Sequence, residues 1–397
     1  MKIALLVDWH SPQMGYSDNF LPKALAALGH EVHLIASNAQ VYFNYSGYKD
    51  IFEKFLGPGL VECGTKRVDG YTLHRLPCSL VRNRVRIAGL QGKLNEIKPE
   101  IVQVGDIYSW CGYEALLRKP WLGFKFFLEC HVHASVFSMT QEKVSIRNRI
   151  YWPIYARTMG ALVNAMTEKC YAISTDAGEI AERYFGIDSA KVVVRSLGVD
   201  TELFAPRWED LSNWRNSARS ELGIPEEDVL CVYTGRLAPE KGPLILAKAI
   251  GKLRQQGHKV HALFVGFGAQ PYMAEIASYP GVTLKEFVPV QALSKYYQIS
   301  DIGVWPKQES TSQLDALSCG LPLILSNRIQ VLERVDGCGL LYEEDSSDDL
   351  AAKIEMLLDP VRRRQLGSAG SRKIKENYSW SGLAKEYEQD YQRSLAR

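Results

Sequence analysis

The first forty residues set a pattern that the chain repeats. Residues 3–7 are apolar without interruption and lead into Asp8; a short continuous run of this kind suits a strand buried on both faces. From Asp18 the period changes. Phe20, Leu21, Ala24, Leu25 and Leu28 share one helical face, Gly29 stops the helix, and residues 31–36 read as the next strand. Strand, helix and strand in that order predict a βαβ unit with parallel pairing. Apolar runs at 101–104, 126–130 and 192–194 extend the pattern, and the second half restarts it with strands at 229–234, 262–265, 282–284, 302–305 and 323–325. The expected class is α/β, with two Rossmann-like, doubly wound domains.

Between the halves, Gly198-Val199-Asp200 through Phe204-Ala205-Pro206 is followed by a polar segment ending near Pro225, which suits a linker. The boundary is placed near residue 200, giving domains 1–200 and 201–397. The last helix, about 381–394, is expected to pack back on the amino-terminal domain. A length of 397 residues fits two cores better than one, and 46% apolar residues can fill both. Lys and Arg number 47 against 45 Asp and Glu, so nothing draws the whole chain toward nucleic acid. The opening apolar run is too short for a signal-peptide core, and no run reaches the 18 or more apolar residues of a membrane span. A cytoplasmic protein is expected. Its eight cysteines contain no C-x-x-C pair and read as reduced, packed thiols rather than a zinc cage or disulfide staples.

In doubly wound sheets, ligands bind outside the carboxyl ends of the strands, so residues directly after strands are the candidates. After 229–234 comes Gly235-Arg236-Leu237-Ala238-Pro239-Glu240-Lys241-Gly242. Gly235 lets backbone approach a ligand closely, and the cations Arg236 and Lys241 can both reach a diphosphate. The plainer alternative is that Arg236 pairs with a nearby carboxylate. After 302–305, Glu309, Ser310, Thr311, Ser312 and Asp315 lead into a helix ending near Cys319-Gly320. One of the three hydroxyls is expected to cap that helix, whose free N–H groups suit phosphate oxygens. Ionised Glu309 and Asp315 suit sugar or ribose hydroxyls. Gly266 and Gly268 follow 262–265, where a tight turn explains them as well as a ligand does. His131 and His133 follow 126–130; an H-x-H pair in extended chain points both rings to one face, with substrate contact, a structural role or a metal as the readings.

Taken in order and spacing, these motifs resemble the retaining family-4 glycosyltransferases with the two-domain GT-B fold, over nearly the whole chain. The resemblance rests on the hinge string at 198–206, the 233–242 loop, Val265-Gly266-Phe267-Gly268, and Asp315-Ala316 through Cys319-Gly320-Leu321-Pro322. It implies that the two domains face a central cleft, that Arg236 and Lys241 hold a donor diphosphate, and that Asp315 binds ribose. Glu309 would then serve the donor sugar and His131 would face it. Two departures stand out. The family's paired glutamates stand eight residues apart, whereas Glu309 precedes Asp315 by six, and the amino-terminal loop has a single glycine, Gly15, where a pair is common. The implied activity is hexosyltransferase-like, from a nucleotide-diphosphate sugar to a carbohydrate or lipid-linked hydroxyl. No D-x-D string occurs, which fits a reaction with no metal or other cofactor. A sugar-nucleotide epimerase and a non-catalytic sugar-nucleotide-binding subunit are the alternatives.

Two segments add a membrane expectation. Residues 66–98 carry eight basic side chains (Lys66, Arg67, Arg75, Arg82, Arg84, Arg86, Lys93, Lys98) against two acidic ones. Residues 143–157 mix Lys143, Arg147, Arg149 and Arg157 with interfacial aromatics, a composition suited to peripheral contact. Against it, Pro153 is expected to interrupt any long amphipathic helix, and the apolar residues are not expected to form one clean stripe.

Overall fold

The computed structural model describes the chain except residues 82–83, 135–136, 141–143, 208–211 and 330; part of the expected linker, 208–211, therefore lies outside the described residues. The chain divides into two compact units. The first joins Met1–Leu197 to Ser381–Arg397, and the second is Gly198–Trp380. The division falls at Leu197 rather than 200, because Val199 donates its N–H to Tyr378 O at 2.7 Å and accepts from Trp380 N–H at 3.0 Å. That bridge draws residues 198–200 into the second unit.

The strands of the first unit are β1 Lys2–Val7, β2 Glu31–Ser37, β3 Gly64–Val68, β4 Tyr71–Leu76, β5 Cys78–Val81, β6 Arg84–Ile87, β7 Ile101–Val104, β8 Lys125–Cys130, β9 Thr167–Ala172 and β10 Val192–Val194. Eight form one sheet in the order β10-β9-β8-β7-β1-β2-β4-β3, while β5 and β6 pair as a separate ribbon. Within the large sheet only β3 runs antiparallel to its neighbour. The chain leaves β1 toward β2 and returns to the other side at β7, so the order reverses between β1 and β7. Helix Ser17–Ala27 covers this sheet with Leu21, Pro22 and Leu25, and Gly29 stops it at φ 87°, a conformation glycine adopts without steric cost.

β9, Thr-Glu-Lys-Cys-Tyr-Ala, opens on polar residues that mask the strand in the sequence; its apolar second half is buried, and the terminal helix Trp380–Leu395 supplies partners to Lys169 and Tyr171. Asp390 accepts from Lys169 Nζ at 2.6 Å, Arg195 Nη2 at 3.1 Å and the Tyr171 hydroxyl at 3.2 Å. The Arg195 guanidinium lies 4.5 Å from the Tyr171 ring centroid and 4.4 Å from that of Tyr387. Residues 381–397 are thus an integral layer of the first unit.

The second unit holds β11 Val229–Thr234, β12 Val260–Val265, β13 Val282–Lys285, β14 Ile302–Trp305, β15 Leu323–Ser326 and β16 Gly339–Tyr342. They form one sheet, β13-β12-β11-β14-β15-β16, parallel throughout. Every residue of β12, β14 and β15 is buried, as continuous apolar runs require. The order reverses between β11 and β14. All eight cysteines are free thiols, and all but Cys63 and Cys78 are buried.

Burial alone would raise the Asp390 pKa, but the Lys169 hydrogen bond and the Arg195 charge hold it below its ordinary value. A depressed carboxylate stabilises the fold above its unfolded pKa of about 4 and loses that contribution as pH falls through the folded value. Asp390→Ala should therefore destabilise the protein by about 3–5 kcal/mol at neutral pH, as removal of one partner from a buried ion pair does. Denaturant titrations of wild type and variant should show the gap narrowing below about pH 4; a gap that is small, or constant from pH 7 to 3, contradicts this account.

Candidate functional site

In the second unit the order reverses between β11 and β14, and the residues after these two strands are those singled out from the sequence. Thr234 closes β11, and its carbonyl accepts from the Trp305 indole at 3.0 Å, so the two strand ends are tied. Gly235 follows at φ 138°. Its N–H donates to Val265 O at 3.0 Å and Leu237 N–H to Phe267 O at 2.7 Å. A Cβ on Gly266 would stand 1.9 Å from Gly235 O, and one on Gly268 2.2 Å from Leu237 O. The structural reason for Gly266 and Gly268 is thus the close approach of their loop to the turn that carries Arg236.

Arg236 is exposed and donates to Glu240 Oε1 at 2.7 Å, so the plainer pairing foreseen for it is present. An exposed pair of this kind is worth about 0–1 kcal/mol, little enough for an arriving phosphate to displace. Lys241 is half-buried. Burial and the neighbouring Arg236 lower its pKa, against the opposing pull of Glu309 and Glu240. Gly242, at φ 70°, lets this turn press against the loop after β14; a Cβ there would meet Lys307 Cγ at 3.0 Å and Pro306 Cβ at 3.2 Å. Two cations and Glu309 are thereby brought together.

Beyond Glu309 the helix Ser312–Ser318 starts with Thr311 at the cap position, but no side-chain cap forms. The expected cap fails for a geometric reason. Thr311 already has helical dihedrals, φ −61° and ψ −30°, whereas a capping hydroxyl is aimed by extended backbone. Ser310 Oγ instead accepts from Ser312 N–H at 3.3 Å. Arg334, which sequence reasoning did not single out, holds this loop by donating to Ser310 O at 3.1 Å and Gln313 Oε1 at 2.9 Å.

Asp315 differs from expectation in charge. Burial, with the Asp200 charge second, pushes its pKa up to about 8, so at neutral pH the carboxyl is mostly protonated rather than ionised. It can then donate as well as accept. Tyr297, whose hydroxyl meets Thr234 Oγ1 at 2.7 Å, lies close by.

In the first unit the order reverses between β1 and β7, and the carboxyl ends there hold a group of acids. Asp8 follows β1, Asp106 follows β7 and His131 follows β8. Burial raises the Asp8 pKa to about 6 and also raises that of Asp106. His131 Nε2 meets Glu129 Oε2 at 2.7 Å. Burial alone would lower the His131 pKa, but the Glu129 hydrogen bond and charge, with Asp106 and Asp18, outweigh it and raise the pKa. Behind it, Gln103 Nε2 donates to Glu129 Oε1 and Tyr391 donates to Gln103 Oε1, each at 2.5 Å. His133 turns to Asp176 at 3.5 Å instead, so the two rings do not converge as an H-x-H pair was expected to. Among the described residues no three His, Cys, Asp or Glu side chains gather as a metal cage would require. Gly15, at φ 69°, donates its N–H to Asn19 Oδ1 at 2.8 Å. Asp8, Asp106 and Glu129 were not foreseen; for Asp8, an acid directly after an apolar run was the readable signal.

Two family models match this chain. Residues 21–203 match one described as Glycosyltransferase Family 4, and residues 228–360 match one described as Glycosyl transferases group 1. Both models describe glycosyltransferases, and between them they match residues of both units. A D-inositol 3-phosphate glycosyltransferase of Geodermatophilus obscurus is 29% identical over 245 residues, 57% of this chain and 52% of the relative. The chain spans about half the length of the first curated relatives it matches. Among solved structures, sucrose-phosphate synthase from Thermosynechococcus elongatus superposes with a TM-score of 0.70 at 17% identity, covering all of both chains. HepE of Anabaena in complex with UDP-glucose gives 0.66 at 15%, again over both whole chains. The fold is that of the GT-B glycosyltransferases.

Because the Glu129 hydrogen bond and charge raise the His131 pKa, Glu129→Gln should lower it. A side-chain NMR titration, with the resonance assigned by its loss in His131→Gln, reads this without any activity assay. An unchanged titration would mean that the other acids suffice.

Proposed function

We propose that this glycosyltransferase-family protein transfers a hexose from a nucleotide-diphosphate donor to a hydroxyl acceptor, with retention of anomeric configuration and without a metal ion. The observation that carries this reading is the convergence of Arg236, Lys241 and Glu309 where the strand order of the second unit reverses. A similarly folded structure, that of HepE, holds UDP-glucose.

In this reading Arg236 exchanges Glu240 for the diphosphate, and Lys241, already partly desolvated, meets the same charge. Preorganised cations are worth most where negative charge develops. As the bond between the anomeric carbon and the phosphate oxygen breaks, that charge grows on the leaving oxygen. The acceptor oxygen bonds to the anomeric carbon on the same face, and its proton passes to the departing phosphate. No side-chain nucleophile enters. Glu309 holds sugar hydroxyls, and Asp315 exchanges hydrogen bonds with ribose. Gly235 and the 310–312 turn border the phosphates, and His131 donates to a sugar hydroxyl. The amino-terminal loop that holds Gly15 contributes to donor binding. The acceptor is a carbohydrate or lipid-linked hydroxyl, and the reaction belongs to glycoconjugate or polysaccharide synthesis in the cytoplasm.

Arg236→Ala and Lys241→Ala should each cut turnover by roughly 10- to 150-fold, the equivalent of losing one charge-assisted hydrogen bond of about 1.5–3 kcal/mol, with thermal unfolding little changed. Steady-state rates against a panel of sugar nucleotides measure it. Near-normal turnover in both variants would remove the basis of the proposal.

A further inference from the structure

The two basic segments noted in the sequence have different fates. In 66–98 the charges do not gather. Arg75 is buried, donating to Ser37 O, Ala39 O and His10 O. Arg86 pairs with Glu114 at 3.1 Å and Lys93 with Glu96 at 2.6 Å, and Arg82 lies outside the described residues.

The second segment behaves otherwise. Lys143 lies outside the described residues, but from Ile146 the chain is helical as far as Met166: an α-helix Ile146–Tyr155, a π-helical turn Ala156–Gly160 and a last α-helical stretch Ala161–Met166. Pro153 does not end it. A π-helical turn follows three residues after Pro153, and the helix runs on beyond it. Trp152, Gly160 and Val163 form the inner side. Gly160 is pressed so closely that a Cβ would stand 2.2 Å from Phe185 O.

The outer side is apolar. Ile146, Ile150 and Ile154, four residues apart, are 78%, 59% and 58% exposed, and Leu162 is 55% exposed. This is the stripe the sequence was not expected to form. Residues 144–166 contain Arg147, Arg149 and Arg157 and no Asp or Glu, and no described carboxylate pairs with the three arginines. Trp121, 76% exposed, stands two residues from Lys119, whose ammonium donates to Met166 O at the end of the same helix.

We propose that this face, residues 146–166 of the first unit, docks in the plane of an anionic lipid bilayer. Exposed isoleucines at i, i+4 and i+8 bury best in a boundary that is apolar on one side, and cations with no acids among them match a negative headgroup layer. A protein partner would have to cover the same stripe while matching three like charges, with no acid between residues 144 and 166 to balance them. Among the described residues no helix is long and apolar enough to cross a membrane, so the contact is peripheral. Docking stands apart from the donor chemistry and is tested without it.

The test is co-sedimentation of the full chain with vesicles of phosphatidylcholine alone and with about 30% phosphatidylglycerol, at low and high salt. Binding to the anionic vesicles should weaken at high salt. It should fall roughly tenfold or more in Ile150→Asp/Ile154→Asp and, separately, in Arg147→Glu/Arg157→Glu, with circular dichroism unchanged. Because both pairs are exposed, either one suffices should the other fold poorly. No binding at low salt, equal binding to neutral vesicles, or binding indifferent to both double variants overturns the proposal. A dimer in sedimentation that Ile150→Asp/Ile154→Asp abolishes, with no vesicle binding, would assign the face to a second copy instead.

Discussion

The indole of Trp305 donates to Thr234 O at 3.0 Å, tying the ends of two strands that are neighbours in the sheet and some seventy residues apart in sequence. The pairing behind it sets Cys231 opposite Ile302 and Val232 opposite Gly303. Gly303 is needed there, since a Cβ would lie 2.7 Å from Leu323 Cδ2. With the strand ends fixed, the chain leaves one strand toward Arg236 and Lys241 and the other toward Glu309. Parallel strands end their chains on one side of the sheet, and where the order reverses the connections diverge and leave room. Arg236, Lys241 and Glu309 are therefore held by backbone that was ordered in forming the core.

The two units meet burial and charge in opposite senses. In the second, Lys241 loses hydration beside Arg236, which favours an incoming anion. In the first, Glu129 and the nearby acids raise the His131 pKa against its own burial. Tyr391 and Gln103 extend that arrangement inward by hydrogen bonds, so the terminal segment bears on the side chain to which the family resemblance assigns the sugar.

Much of this was legible in the sequence wherever burial on both faces writes a continuous apolar run. β7, β11 and β14 begin and end where the apolar runs were read, and the residues after β11 and β14 stood out by type alone. What was not legible depends on partners distant in sequence. Lys169 interrupts the apolar signal of β9, and its partner Asp390 lies more than two hundred residues later. The Asp315 carboxyl looks like an ordinary ionised acid until its surroundings raise its pKa to about 8. Arg75 counted toward a surface charge cluster, yet three carbonyls hold it inside. Pro153 argued against a helix that a single π-turn continues.

The central claim is that side-chain cations at the β11–β14 reversal do the work of neutralising the departing diphosphate, with the acceptor entering on the same face. The most direct measurement is the anomeric configuration of the product, followed by proton NMR with an accepted sugar nucleotide in excess chelator. The account predicts product formed under chelation with the donor's configuration retained. An inverted product, or turnover that stops in chelator and returns only with added divalent metal, would contradict it.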